Sequence, residues 1–212
     1  MLKFQGVYFS PHLANLWSVA AMKIIIRFFL LFTFILSSSV SIADELMIES
    51  STFDCIRDMT PVRGFFVDNL EDNLEGTIKV SEAGEGTYPP GSVVQLVPGE
   101  AMIKHAQGFS PATSDWEFFE LDVTAEGSSI RARGFVDVVN RFDGNCFACH
   151  IKASPGRDMI CESGHGCDPI PLTPLMIKAI QNTDPRCEPV SLPPEQVEAL
   201  KQLQAAMAAP QQ

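Results

Sequence analysis

The chain has little positive charge for its length. Its 212 residues include 15 Lys and Arg against 26 Asp and Glu, so the formal net charge at pH 7 is −11. A surface of this sign argues against nucleic acid and anionic lipid as partners, because both carry the same charge. It suits a partner protein with a basic surface.

The sequence also lacks an apolar run that is long enough for a membrane span. The run Phe28–Leu36 is well short of the roughly 20 residues that a bilayer-crossing helix needs. It follows a basic start at Met22–Arg27 and precedes the small residues Ser37–Ala43, which is the order of a secretory signal peptide. We therefore expect residues 1–43 to be a leader, with Met22 as an alternative start and cleavage after Ala43.

The predicted cleavage site has no cysteine, so no lipid anchor and no stable membrane anchor are expected after processing. The leader contains three basic and no acidic residues. Its removal leaves 12 basic and 26 acidic residues and a formal net charge of −14. The expected location of the processed chain is the periplasm or the extracellular medium.

Five residues late in the chain form a C-x-x-C-H motif, Cys146-Phe147-Ala148-Cys149-His150. This spacing is the attachment signature of c-type haem. On one helical turn, both thiols can add to the vinyl groups at one porphyrin edge, and His150 can bind the iron as the proximal ligand. The motif predicts one covalently attached haem c held by Cys146, Cys149 and His150, with His150 as the axial iron ligand.

Two other interpretations of the motif cysteines stay open. Cys161, His165 and Cys167 follow closely and could complete a tetrahedral zinc site in a structural module. A redox-active dithiol is the second alternative, although such motifs are typical of the front of a βαβ domain. Here the motif comes late, after a β-rich stretch, which favours haem.

The other four cysteines form an even set with three possible pairings. Cys161 with Cys167 is the local choice, and Cys55 with Cys187 would then join the start of the domain to its C-terminal part. Disulfides are typical of an oxidising compartment, in agreement with export.

Short β-prone segments precede the motif, and helical segments follow it. Strands are predicted at 63–68, 77–80, 92–97, 116–122 and 130–135, and helices at 145–152, 173–182 and 191–208. This order predicts an α+β fold in which an antiparallel sheet packs on the haem. We assign 44–160 to a β-rich haem c domain and 161–212 to a disulfide-containing helical extension packed on it.

The small helical cytochromes c carry C-x-x-C-H near the N-terminus, so this order argues against their fold. The strand at 63–68, the Pro-Gly turn with the apolar strand at 90–97, the strand Trp116–Asp122 and the late Gly144–His150 instead resemble the β-sheet cytochromes of the cytochrome P-four-sixty family, which includes cytochrome c-prime-beta. The resemblance covers roughly residues 55–160.

The resemblance implies a proximal His150 and an apolar, aromatic distal pocket, for which Phe65, Phe66, Phe118 and Phe119 are candidates. Some relatives in this family bind NO or CO, and others oxidise hydroxylamine through a haem cross-linked to a lysine. The corresponding strand, Ser92–Val97, contains no lysine, whereas Lys79 and Lys104 lie in other segments. The lysine cross-link is therefore not expected.

Further residues are candidates for roles around the iron. A sixth ligand could come from Met59, Met102, Met159, Met176, His105 or His165. A haem propionate could pair with Arg131, Arg133 or Arg141, and a distal acid or base could be Glu117, Glu120 or Asp122.

Three functions follow from these observations. The first is an exported monohaem electron carrier with a basic redox partner. The alternatives are a five-coordinate protein that binds NO or CO, and an oxidoreductase acting on small nitrogen species or peroxide. A non-catalytic role is preferred, because nothing in the sequence directs an acid or base at the iron.

Overall fold

Six strands form one antiparallel sheet whose spatial order follows the sequence. The computed structural model describes residues 46–162 and 164–208, so the predicted leader at 1–43 lies outside the described residues. The strands are β1 (Thr60–Val62), β2 (Phe65–Asn69), β3 (Ser92–Gln95), β4 (Glu100–Lys104), β5 (Trp116–Thr124) and β6 (Gly127–Gly134). The predicted antiparallel α+β fold is thereby confirmed, while haem attachment remains a prediction.

The four described α-helices are α1 (Leu74–Ala83), α2 (Cys146–His150), α3 (Pro174–Asn182) and α4 (Pro194–Ala208). Helix α2 carries the C-x-x-C-H motif, and α3 begins at the predicted cap, where the Thr173 side chain accepts a hydrogen bond from Met176 N. Within the described ranges, no helix combines the length and the apolar character needed to cross a bilayer.

The predicted strand at 77–80 is wrong, because these residues lie in the middle of α1. Their β-branched side chains favoured a strand, but the helix has strong signals at both ends. The Asn73 side chain caps the first turn by accepting from Gly76 N, and Gly84 ends the helix with a left-handed φ of 69°. Thr77 and Ser81, four residues apart, are both fully buried, which is the spacing of one helical face.

Strand β4 was not predicted, although it lies in the centre of the sheet between β3 and β5. It begins directly after the turn at Pro98 and Gly99, and its central residues Ala101–Ile103 are buried. Its charged ends, Glu100 and Lys104, obscured the short apolar run. Both charged side chains have partners in the fold, which is why the strand can lie inside the sheet.

The two faces of the sheet carry separate cores. On one face, a cluster that includes Phe65, Val94, Met102, Trp116 and Phe118 packs against Cys146, Phe147 and Met159. We call this the motif face. On the opposite face, Val93, Ile103, Phe119 and Leu121 pack against the N-terminal residues Ile48 and Phe53. Neighbouring residues of a strand alternate between the two faces, as the pleat requires.

Both expected disulfides are present, Cys55–Cys187 and Cys161–Cys167. Around the first, Asp184 accepts a hydrogen bond from Ile56 N at 3.0 Å, and Arg186 Nη1 donates to Phe53 O at 3.2 Å. On α3, Gln181 Nε2 donates to Leu96 O at 2.9 Å. These contacts attach the C-terminal helical part to the sheet and to the segment that precedes it.

Candidate haem attachment site

The motif helix α2 is held at its start by Asn145. The Asn145 side chain accepts from Ala148 N at 2.7 Å and donates to Val136 O at 2.9 Å, so one residue both caps the helix and ties it to the preceding loop. The Cys146 amide also donates to Val138 O at 3.0 Å. Because Val138 belongs to the core of the motif face, these bonds set the helix against the sheet.

Among the described residues, Cys146 and Cys149 are the cysteines that remain as thiols. Burial, followed by the negative charges of Glu100 and Glu120, raises the pKa of Cys146 to about 11. Redox-active dithiols need a thiol pKa that is lowered, because the thiolate is the nucleophile. The Cys146 thiol is therefore held protonated, which disfavours the dithiol alternative.

His150 has one ring nitrogen occupied by the fold. Its Nδ1 lies 2.8 Å from the carbonyl oxygen of Met159, so Nδ1–H donates there and Nε2 keeps its lone pair. Burial lowers the pKa of His150, which favours the neutral imidazole. A neutral imidazole whose second nitrogen is held by a carbonyl is the usual arrangement of a metal-binding histidine.

The surroundings of His150 are apolar and aromatic. The rings of Phe118 and His150 lie 5.3 Å apart between centroids, and Phe118 is essentially buried. Of the four phenylalanines that the resemblance suggested, Phe65 and Phe118 lie on the motif face, whereas Phe66 and Phe119 belong to other clusters. Each pair is adjacent in sequence, so strand alternation sends its members to opposite faces.

The zinc alternative loses two of its ligands. Cys161 and Cys167 are joined to each other, so neither is available as a thiolate. Across residues 46–162 and 164–208, no group of three or more Cys, His, Asp or Glu side chains is arranged to hold a metal ion. The Cys161–Cys167 loop instead packs beside the motif, with Cys161 Sγ 3.3 Å from Cys149 O.

The candidates for a sixth iron ligand are distributed over the molecule. His105 is bound to Glu117 at 2.8 Å and stacked on Phe109 on the face opposite the motif, and Met59 packs with the clusters on that side. Met102 lies on the motif face, in register with Phe118 across the β4–β5 pair. Met159 lies beside His150, to which its own carbonyl is bound.

The other two candidates belong to the C-terminal part. Met176 lies on α3, whose Lys178 stands over the ring of Phe66. His165 lies in the loop closed by Cys161–Cys167. Its backbone carbonyl accepts a hydrogen bond from Ser154 N, and its buried Nδ1 has no hydrogen-bond partner among the described residues.

The candidate arginines and acids pair with one another. Arg133 holds Glu117 through two hydrogen bonds of 2.6 and 2.8 Å on the opposite face. Arg141 Nε donates to the fully buried Glu120 at 2.8 Å, and Arg131 lies 3.3 Å from the same carboxylate. Each arginine thus has a carboxylate in the fold, and none is brought beside His150 as a free cation.

Three residues beside the motif were not predicted to take part in the site. Lys104 and Asp158 form a buried ion pair, and the indole of Trp116 donates to the Asp158 backbone carbonyl. Burial raises the pKa of Asp158, while the ammonium of Lys104 opposes this shift. The sequence signal that could have pointed to these residues is a lysine at the end of an apolar run, followed by a strand that begins with tryptophan.

The donor set fits a covalently attached haem c. Two thiols that take no part in a disulfide lie on one turn of helix, and the following histidine presents Nε2 while its Nδ1 is bound. Apolar side chains of the motif face surround the turn. The chain matches no protein-family model, no curated protein and no solved structure.

Proposed function

We propose that this chain is an exported c-type cytochrome that holds one haem and acts in electron transfer. The observation that supports the proposal most strongly is the state of the six cysteines. Four are paired in disulfides, whereas the two of the C-x-x-C-H motif remain thiols on one helical turn. Haem c attachment needs those two thiols and the adjacent histidine.

Each motif residue has a defined part in this proposal. Cys146 and Cys149 would form the two thioether links, and His150 Nε2 would bind the iron. Bound haem supplies a one-electron Fe(III)/Fe(II) couple. The protein fixes the tautomer and orientation of His150 through Met159 O, and Phe118 of the motif face packs beside the imidazole ring.

The location follows from the disulfides and from the predicted leader. Cys55–Cys187 and Cys161–Cys167 are bonds that persist in an oxidising compartment. The periplasm, where haem c would be attached, is an oxidising compartment of this kind. The acidic composition favours a redox partner with a basic surface.

One observation favours gas binding as a second function. His105 and Met59, two of the six candidate sixth ligands, lie on the face opposite the motif. The core of the motif face consists of hydrocarbon and aromatic side chains together with Met102 and Met159. If none of the other four candidates reaches the iron, a diatomic ligand such as NO or CO would occupy that position.

Visible spectra of the reduced, haem-loaded protein before and after CO addition separate these functions. An electron carrier gives low-spin bands that CO leaves unchanged, and if Met102 is its sixth ligand, the Met102→Leu variant gains CO binding. Met59→Leu is the matched control, since this methionine packs on the opposite side of the sheet. A spectrum of the unaltered protein that shifts with CO supports the gas-binding function, and a protein without haem bands overturns both.

A further inference from the structure

Two consecutive residues behind His150 have a left-handed backbone. Asp158 has φ 47° and Met159 has φ 64°, and neither is glycine. For residues with a Cβ this conformation costs free energy, so it persists only where surrounding contacts hold it. The carbonyl that this turn presents is the one that accepts from His150 Nδ1 at 2.8 Å.

The contacts that hold the turn converge on Asp158. Lys104 Nζ lies 2.8 Å from each carboxylate oxygen, and Tyr88 N donates to one of them at 2.8 Å. Trp116 Nε1 donates to the Asp158 carbonyl, also at 2.8 Å. Strands β4 and β5 and the Tyr88 amide, which precedes β3, therefore fix both the side chain and the main chain of Asp158.

This arrangement is closed to water. The side chains of Lys104 and Asp158 are each only 6% exposed, and Trp116 is fully buried. Lys104 Nζ also donates to Ser114 O at 2.6 Å and stands 5.1 Å from the centre of the Trp116 ring. Hydrogen bonds between charged groups are stronger when desolvated and fully satisfied, so this anchor is rigid.

We infer that Lys104, Asp158 and Trp116 are positioning residues that hold Met159 O against His150 and thereby set the reduction potential of the haem. The inference rests on the haem function proposed above. A firm hydrogen bond from Nδ1–H makes an imidazole a stronger donor to a metal. A stronger donor stabilises ferric iron, so loosening the anchor should raise the potential.

The test must separate positioning from the electric field of the charges. Replacing both partners, in Lys104→Met/Asp158→Asn, removes one positive and one negative charge that lie side by side, so the net charge near the haem is unchanged. Glu198→Gln/Lys201→Met is the matched control, because this pair is exposed on α4 with a separation of 3.8 Å. Trp116→Phe removes the indole donor together with part of the buried ring, and it removes no charge.

The measurement is the midpoint potential of each haem-loaded protein. We expect Lys104→Met/Asp158→Asn to shift the ferric-to-ferrous equilibrium about tenfold toward ferrous, which is about +59 mV for one electron. Trp116→Phe should shift it in the same direction by less, and the exposed pair should leave it unchanged. Lys104→Arg, which keeps the charge and a donor to Asp158, should have a potential close to that of the unaltered protein.

Loss of the anchor without a change in potential overturns the inference, as does a fall in potential. If the buried double variant does not accumulate, Trp116→Phe carries the same test. In the reduced unaltered protein, NMR should also show a slowly exchanging proton on His150 Nδ1, and a rapidly exchanging one contradicts the inference. Failure of the unaltered protein to attach haem at all would instead refute the proposed function.

Discussion

The two disulfides close loops of very different length, which predicts that they stabilise the protein to different degrees. Cys55 and Cys187 are separated by 132 positions, and Cys161 and Cys167 by six. In the chain-entropy relation, a cross-link removes loop-closure entropy from the unfolded chain by an amount that rises with the logarithm of loop length. Removal of the long-range disulfide should therefore be the more destabilising change.

The relation gives about 5 kcal/mol for Cys55–Cys187 and about 2 kcal/mol for Cys161–Cys167. The difference of about 3 kcal/mol is the quantity to test, because residual structure in the unfolded chain lowers both values together. Burial acts in the same direction: Cys55 and Cys187 are 9% and 7% exposed, whereas the other two are only half-buried.

The assay compares Cys55→Ala/Cys187→Ala with Cys161→Ala/Cys167→Ala by equilibrium urea unfolding of haem-loaded protein. The hydrogen bonds of Asp184 to Ile56 N and of Arg186 to Phe53 O remain in the first variant, so we expect it to fold and to keep its haem. The free energy of unfolding should fall by about 3 kcal/mol more in the first variant than in the second. Equal losses, or a larger loss in the second variant, would show that loop length does not determine the contribution of these disulfides.

Three further predictions concern groups on and beside the sheet. Glu120→Ala removes a fully buried carboxylate that binds Arg131 and Arg141, whose side chains are 37% and 45% exposed, so it should cost about 1–3 kcal/mol by urea unfolding, whereas the exposed Asp122→Asn should cost little; equal effects would contradict this. Burial raises the pKa of Glu117, but hydrogen bonds from His105 and Arg133 outweigh it and the pKa lies below its usual value. The stability difference between unaltered protein and Glu117→Gln should therefore be full above about pH 4.3 and vanish as the pH falls further; a difference that grows in acid would be inconsistent. Asn73→Ala removes the cap of α1 and should lower the free energy of unfolding by about 1 kcal/mol, with no change expected from Lys79→Ala on the exposed side of that helix.

Much of the fold could be predicted from local patterns. The strand at Trp116 and the helix capped by Thr173 follow from residue type and alternation, and both disulfides follow from choosing the local pair first. The segment at 77–80 could not be read in this way, because its β-branched residues conflict with the helix caps at Asn73 and Gly84. The capping signals carried the correct information, and the side-chain propensity did not.

The candidate site could likewise be predicted only in part. The motif itself is contiguous, so Cys146, Cys149 and His150 are visible in the sequence. The groups around it come from distant segments, and only the folded chain brings Lys104 to Asp158 or Met159 O to His150. Alternation along β2 and β5 could have shown that only one phenylalanine of each adjacent pair faces the motif.

Covalent haem attachment is tested by the visible spectrum of the denatured protein in alkaline pyridine. The protein is produced with its leader in a host that attaches c-type haem. We expect one haem that stays with the polypeptide through denaturation and gives the spectrum of a twofold thioether-linked porphyrin. Cys146→Ala/Cys149→Ala should lack it. Purified protein without bound haem and with two free thiols at these positions would contradict the account.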